Sequence, residues 1–142
     1  SNSPMTTLEE ELELVNAYVT IQEIRFKERV DFIPLILIED LSIEVPKLLI
    51  QPLIENAFKY AVEKMSSPCE IILKIEQVEN DLVIKCIDNG PGFPKNYEER
   101  ASTGIGLKNI RERLLLTYGE GSSLSIESIP YECTTVTIKI PL

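Results

Sequence analysis

The chain has 142 residues, of which 44% are hydrophobic and 26% charged, a length and balance that predict one globular domain with its own core. A formal net charge of −9 excludes a nucleic-acid surface, because phosphate contacts require clustered Lys and Arg. The chain contains no histidine, and this excludes a Ser-His-Asp triad.

The first predicted element is a long helix over residues 8–30. Thr6 or Thr7 is suited to cap it, and Glu9 or Glu10 would complete a capping box. The residues before it are predicted to be a linker or tag remnant, because the opening Ser-Asn resembles what remains after a tag is cleaved. This interpretation covers residues 1–5.

Two apolar stripes run along this predicted helix. The first repeats in steps of four and three, typical of a coiled-coil seam, and consists of Leu8, Leu12, Val15, Val19, Gln22 and Phe26. The second consists of Leu14, Tyr18 and Ile21. The stripes are equally compatible with a helix packed on its own domain and with a helix bundle shared with another chain.

The remaining pattern predicts strands and helices in the order of an α+β fold. A second helix is predicted to follow Pro46 and to run to residue 64, with Pro52 kinking or splitting it. A third helix is predicted over residues 105–118, stopped by Gly119 and Gly121. Strands are predicted over residues 30–38, 70–77, 82–88, 124–128 and 134–140. The predicted architecture is a two-layer sandwich, with helices covering one face of a mixed, mostly antiparallel sheet.

Composition also bears on the cellular compartment. The cysteines Cys69, Cys86 and Cys133 have no metal-like spacing, and Cys86 and Cys133 are predicted to be buried thiols within strands. An odd cysteine count without a signal peptide favours a reducing cytoplasm. No apolar stretch approaches the roughly 20 residues that a transmembrane helix needs.

Asp88 ends a predicted strand on the same face as Leu82, Ile84 and Cys86, so it extends an apolar face. A carboxylate there needs hydrogen-bond donors, which a purine amino group could supply. The alternative is a turn in which Asp88 bonds its own backbone, and for Asp88 alone this is the better interpretation.

Glycines follow in two pairs. Gly90 and Gly92 bracket a proline in a tight turn, and Gly104 and Gly106 come just before the third helix, with Ile105 between them and Leu107 after. A helix N-terminus behind bare glycines suits a phosphate group. Ordinary turn and cap chemistry is the alternative for each pair.

On the second helix, Asn56, Lys59 and Tyr60 share a face by their spacing. The amide oxygen of Asn56 suits Mg²⁺, and Lys59 is placed to contact phosphate. Glu55 is a candidate to polarise an attacking group or to hold metal-bound water. A solvated polar surface is the alternative. The sequence lacks the P-loop, dinucleotide-binding and eukaryotic protein kinase signatures.

Together these segments resemble the Bergerat, or GHKL, ATP-binding fold of gyrase, Hsp90, MutL-type proteins and histidine kinases. Asn56 with Lys59 is similar to its asparagine box, and the two glycine pairs are similar to its glycine boxes. The run LIQPLIENA over residues 49–57 is similar to a run of the LytS-like sensor histidine kinases. That resemblance covers nearly the whole chain from Thr7.

The resemblance implies roles at the matching positions. Asp88 would bind the adenine amino group, Asn56 would hold Mg²⁺, and Thr134 would lie near adenine. The 104–107 loop would contact phosphate, and residues 94–103 would form a short lid over ATP. The chain departs from the family at Tyr60, where a histidine is usual, and at Cys133, where a glycine is common.

The implied function is the catalytic ATP-binding part of a membrane-attached, two-component sensor histidine kinase, with ATP and Mg²⁺ as ligands. Residues 6–30 would belong to the dimerising, phosphoacceptor region and residues 31–142 to the catalytic domain. The acceptor histidine would lie upstream in the full-length protein, which would form a homodimer. A response regulator would receive the phosphoryl group.

Two alternatives remain open. One is a degenerate or anti-sigma-factor-like module that binds a partner protein. The other is an ATPase of the gyrase or Hsp90 type, which Pro52 disfavours because it stands where those proteins have a general-base glutamate.

Overall fold

In a computed structural model, residues 3–93 and 106–142 are described, and they form a five-stranded sheet covered by helices and a small two-stranded sheet. The helices are α1 (Leu8–Phe26), α2 (Gln51–Tyr60) and α3 (Leu107–Tyr118). The strands are β1 (Met5–Thr7), β2 (Val30–Ile36), β3 (Glu44–Pro46), β4 (Cys69–Val78), β5 (Asp81–Asp88), β6 (Ser123–Ile129) and β7 (Cys133–Pro141). Short 3₁₀ turns follow each helix, at Lys27–Arg29, Val62–Lys64 and Gly119–Gly121.

Within the described residues the main sheet has the strand order β2-β4-β5-β7-β6. The β2 and β4 strands are parallel, and the other neighbours are antiparallel. This confirms the predicted mixed, mostly antiparallel sheet of an α+β sandwich. Alternation along β4, β5 and β7 turns a row of apolar side chains toward the helices, while Lys74, Lys85 and Lys139 lie on the opposite, more exposed face.

The first helix packs into the core of the domain. Leu8, Val15, Val19 and Phe26, from the first predicted stripe, are buried in the same cluster as the sheet. From the second stripe, Leu14 and Ile21 remain 48% and 64% exposed, and nearby Ile24 is 72% exposed. Packing on the domain therefore accounts for the first stripe and for Tyr18 of the second, and it leaves Leu14 and Ile21 at the surface.

The start of the chain enters the fold earlier than the pattern suggested. Strand β1 pairs with β3, with Met5 opposite Pro46. Thr7 caps α1, because its hydroxyl accepts the backbone N–H of Glu10 at 3.2 Å. The predicted boundaries at residues 5 and 30 remain predictions, although Met5 already belongs to a strand.

The second helix starts later than predicted. Pro46 lies in β3, and α2 begins at Gln51 with Pro52 in its first turn. Proline fits there because an N–H in the first turn has no partner within the helix, so Pro52 starts α2 and does not kink it. The prediction of a buried Cys133 was also wrong, because this thiol is only half-buried. It lies on the face of β7 that points away from the Thr134 side chain.

Candidate functional site

Asp88 lies at the end of β5, buried to 7% exposure on the face that α2 covers. Two residues earlier on that face, the Cys86 thiol lies 3.7 Å from the carbonyl oxygen of Leu53 in α2. Asp88 is directly opposite Thr134 on β7. The carboxyl group therefore stands at the junction of the sheet and α2.

The Asp88 carboxyl group has one strong internal contact. Its Oδ1 accepts the backbone N–H of Gly90 at 2.9 Å, and no described residue donates to Oδ2. Burial raises the pKa of Asp88 to about 6, although the Gly90 N–H opposes this shift. The turn interpretation is thus realised through Oδ1, while Oδ2 receives no donor from the part of the chain that the structure describes.

Gly90 allows α2 to approach the turn closely. A β-carbon at Gly90 would lie 2.3 Å from the β-carbon of Ala61 and 2.7 Å from its α-carbon, which no side chain tolerates. Ala61 ends α2. A glycine at position 90 is therefore required for the C-terminal end of α2 to meet the turn after β5.

Gly92 completes the turn against two hydroxyl groups. Its φ of +86° is a conformation that glycine adopts without strain. A β-carbon there would lie 2.6 Å from Ser128 Oγ and 3.6 Å from Thr134 Oγ1. These hydroxyls are hydrogen-bonded to each other at 2.9 Å, and Thr134 is 1% exposed. The first glycine pair, Asp88 and Thr134 thus converge in one place.

Asn56 is buried in α2 at 8% exposure, and its side-chain nitrogen Nδ2 has no hydrogen-bond partner among the described residues. A buried polar atom without a partner is costly, so a ligand that supplied one would be stabilised. One turn later, Lys59 is exposed with its Nζ 5.2 Å from the centre of the Tyr60 ring. Tyr60 meets the Phe93 ring edge-on at 5.4 Å, next to Gly92.

Glu55 contacts Gln51 and lies near α1. Its Oε1 accepts the side-chain amide of Gln51 at 2.9 Å. Burial raises the pKa of the Tyr18 hydroxyl on α1, and the negative charges of Glu55 and Glu63 raise it further. These contacts place Glu55 on the side of α2 toward α1, and its catalytic role stays a prediction.

The second glycine pair is described in part. Gly106 precedes Leu107, the first residue of α3, whose side chain is fully buried. The N–H groups of the first turn of α3 are the kind that bind an anion. Gly104, Ile105 and the predicted lid at residues 94–103 lie outside the described residues.

A metal ion at this site would need help from a ligand. In residues 3–93 and 106–142 no group of three or more His, Cys, Asp or Glu side chains is placed to hold one. Mg²⁺ is commonly bound by one or two protein oxygens together with substrate phosphates and water. The single amide oxygen of Asn56 fits that mode and does not fit an all-protein metal cage.

The motifs did not point to three residues of this region. Ser128 could have been found from the register of the last hairpin, in which it lies opposite Thr134. Ala61 has no sequence signal that separates it from any helical alanine. Glu11 resembles its acidic neighbours on α1, but it is 1% exposed and bonds the segment before α2.

Among the described residues, no helix has the length and apolar character to cross a membrane.

Comparison with known proteins places these features in a wider group. The family model described as "Histidine kinase-, DNA gyrase B-, and HSP90-like ATPase" matches residues 43–142. Sensor histidine kinase YesM of Bacillus subtilis is 41% identical over 138 residues, which are 96% of this chain and 24% of YesM. Sensor protein LytS of Oceanobacillus iheyensis is 30% identical over 141 residues, 90% of this chain and 24% of LytS. The chain thus spans about a quarter of each of these two relatives.

Solved structures share the fold. The catalytic domain of histidine kinase ThkA has a TM-score of 0.70 at 17% identity, covering 96% of this chain and 93% of that one. A structure of ThkA in complex with the response regulator protein TrrA has a TM-score of 0.67 at 18% identity, covering 96% of this chain and 41% of that one.

Proposed function

Because the chain belongs to the family of histidine kinase-, DNA gyrase B- and HSP90-like ATPases, we propose that it binds Mg-ATP as the catalytic part of a sensor histidine kinase. The observation that carries the proposal is the pair of buried polar groups at the junction of α2 and the sheet. Among the described residues, no donor contacts Asp88 Oδ2 and no partner contacts the amide nitrogen of Asn56. A nucleotide would supply a donor to Asp88 Oδ2 from its base and an acceptor to Asn56 Nδ2 from its phosphates.

Each site residue has a part in this proposal. Asp88 Oδ2 accepts a hydrogen bond from the adenine amino group, and Thr134 with its Ser128 partner borders the base. Gly90 and Gly92 let the backbone approach the nucleotide. On the phosphate side, Lys59 and the N-terminus of α3, with the loop that contains Gly104, Ile105, Gly106 and Leu107, contribute positive charge and N–H donors.

Asn56 would hold Mg²⁺ through its amide oxygen, together with ATP phosphates and water. When bound, the ion would neutralise charge on the phosphates. Tyr60 contributes a ring beside the turn, and Glu55 remains a candidate to orient the acceptor. Positioning of the γ-phosphate and charge neutralisation account for most of the catalysis, as in phosphoryl transfer generally.

The acceptor must come from elsewhere, because the chain has no histidine. We propose that it lies on an upstream segment of a longer, dimeric protein. The exposed Leu14, Ile21 and Ile24 on α1 support this partner, since they form an apolar stripe suited to a helix bundle. A cognate response regulator would receive the phosphoryl group, and these residues would form the cytoplasmic part of a membrane-attached sensor.

Calorimetry with Mg-ATP tests the proposal on the 142-residue chain and on Asp88→Asn. We expect a Kd between micromolar and millimolar for the chain, and at least about tenfold weaker binding for Asp88→Asn. The control is Asp81→Asn, the same change at the other end of β5, which should bind as the unmodified chain does. No binding by the folded chain would contradict the proposal and favour a partner-binding module.

A further inference from the structure

Helix α1 holds the start of α2 through one buried carboxylate. The Glu11 side chain is 1% exposed. Its Oε1 accepts the backbone N–H groups of Leu49 at 2.8 Å and Ile50 at 3.2 Å, and its Oε2 accepts that of Leu48 at 3.0 Å. A buried carboxylate with three donors is satisfied only while these donors keep their places.

The segment that Glu11 binds is conformationally unusual. Leu48 has a φ of +55°, a left-handed conformation that residues with a β-carbon rarely adopt. Arg113 of α3 holds the same segment from its carbonyl side, with Nη1 3.1 Å from the oxygen of Leu48 and Nη2 bonded to the oxygen of Lys47. The start of α2 is therefore fixed by side chains from both α1 and α3.

The other end of α2 is also tied to the α1 segment. Arg29, in the 3₁₀ turn after α1, donates from Nη2 to the carbonyl oxygens of Val62 at 3.1 Å and Met65 at 2.6 Å. These carbonyls belong to the turn that follows α2 and to the residue after it. A carboxylate at the N-terminal end and a guanidinium at the C-terminal end both interact favourably with the helix dipole of α2.

Aromatic packing fills the space between these two attachments. The Phe58 ring of α2 contacts Tyr18 edge-on at 5.7 Å and Phe26 at 5.9 Å. Helix α2 is thus held by α1 along its length, and it meets the nucleotide site where Ala61 touches Gly90. Any displacement of α1 relative to the sheet would move α2, and Asn56 with it, relative to Asp88.

We propose that Glu11 and Arg29 are positioning residues that set Asn56 against Asp88, so that the position of α1 controls nucleotide affinity. This inference rests on the proposed function for its link to ATP. The geometric part, that the two side chains set the position of Asn56, is testable without nucleotide.

The first test compares Glu11→Gln with Glu13→Gln in the 142-residue chain. Glutamine keeps the shape of Glu11 but turns an N–H₂ donor toward backbone N–H groups, whereas Glu13 is exposed on the same helix. The readouts are the side-chain amide signals of Asn56 in ¹⁵N-resolved NMR and the Kd for Mg-ATP. We expect Glu11→Gln to move or broaden the Asn56 signals and to weaken binding about tenfold or more. Glu13→Gln should leave both readouts unchanged.

The second test compares Arg29→Lys with Arg25→Lys. Both arginines lie over the Phe26 ring, with Cζ 5.5 Å from the ring centre for Arg29 and 4.7 Å for Arg25. The comparison therefore distinguishes the effect of losing this stacking from the effect of losing the carbonyl bonds of Arg29. Both carbonyl bonds of Arg29 come from Nη2 of a planar guanidinium, and the flexible ammonium group of lysine does not keep that fixed orientation. We expect Arg29→Lys to displace the Asn56 signals and Arg25→Lys to leave them unchanged. If Glu11→Gln does not fold, Arg29→Lys decides whether the α1 segment sets the position of Asn56.

Folded Glu11→Gln and Arg29→Lys chains whose Asn56 signals and Kd match their controls would overturn the inference. Failure of the proposed function looks different, because the unmodified chain would then bind no Mg-ATP. The Asn56 signals of the variants would still decide whether Glu11 and Arg29 set the position of α2.

Discussion

At the scale of single residues, the Asp88 carboxyl group carries both a cost and a use. Burial raises its pKa to about 6, from an ordinary value of 3.8, so the group is ionised at neutral pH at the expense of stability. A folded-state pKa above the unfolded value means that Asp88 favours folding below about pH 4. That contribution is lost as the pH rises through 6.

Asp88→Asn is therefore expected to stabilise the chain at pH 7 while it weakens ATP binding. The shift of roughly two pKa units corresponds to a gain of up to about 3 kcal/mol in the free energy of unfolding. The gain should disappear below pH 4, where the Asp88 carboxyl is protonated in both states. Denaturant unfolding between pH 4 and 8 measures it, with Asp81→Asn as control. A variant that is less stable at pH 7, or a difference independent of pH, would contradict this account.

Gly90→Ala tests the close approach of α2 to the first glycine turn. The added β-carbon would meet Ala61 at 2.3 Å, so we expect a loss of about 1–3 kcal/mol in the free energy of unfolding from overpacking. Adding Ala61→Gly should recover part of the loss, because it removes the closest atom. Recovery in the double variant, measured by chemical denaturation, separates a steric clash from a general effect of alanine in the turn. An unchanged stability in Gly90→Ala would exclude this packing.

At the scale of elements, α2 joins the core and the site. Its apolar side, with Phe58 only 1% exposed, packs on α1 and the sheet, while Tyr60 meets Phe93 beside the glycine turn and Asn56 lies one helical turn before Tyr60. The same helix thus serves stability through one side and the proposed nucleotide contacts through another. Disrupting α2 should therefore lower both the stability of the fold and the proposed affinity for nucleotide.

Phe58→Ala is expected to cost about 3–5 kcal/mol of unfolding free energy, because it opens a cavity between α1 and α2. Leu116→Ala on α3 is the control, since that side chain is 87% exposed and its truncation should change stability by less than about 0.5 kcal/mol. Thermal or chemical unfolding compares the two. Similar losses in both variants would mean that Phe58 does not connect the two helices.

At the scale of the whole molecule, the exposed stripe on α1 separates folding from assembly. Leu14, Ile21 and Ile24 are 48–72% exposed, so the core does not depend on them. We therefore expect these apolar side chains to pack against a partner helix.

Replacing Ile21 and Ile24 together by serine should leave the unfolding free energy of the 142-residue chain within about 1 kcal/mol of its original value. The same change in a longer protein with its upstream segment should weaken dimerisation, because it removes seam contacts. Analytical ultracentrifugation measures the dimer, and replacing Leu116 by serine is an exposed control away from α1. A dimer of unchanged affinity would show that the stripe is not the seam.

Much of the fold was predictable because local patterns are strong where one face of an element is buried. Alternation located β4, β5 and β7 to within a residue or two, and glycines located the end of α3. The start of α2 was not predictable in this way. Two prolines, Pro46 and Pro52, were both suited to begin a helix, and the pairing of β1 with β3 placed Pro46 in a strand.

The sequence by itself determined most strands and helices, the family resemblance and the candidate residues, because spacing of apolar, glycine and polar residues is local information. Only the tertiary structure decided how the candidates are combined. It brought Asp88, Gly92, Ser128 and Thr134 together and turned Glu55 toward α1. It also distinguished Glu11 from the acidic residues around it, since a hydrogen bond between residues 38 positions apart depends on chain packing and leaves no local pattern.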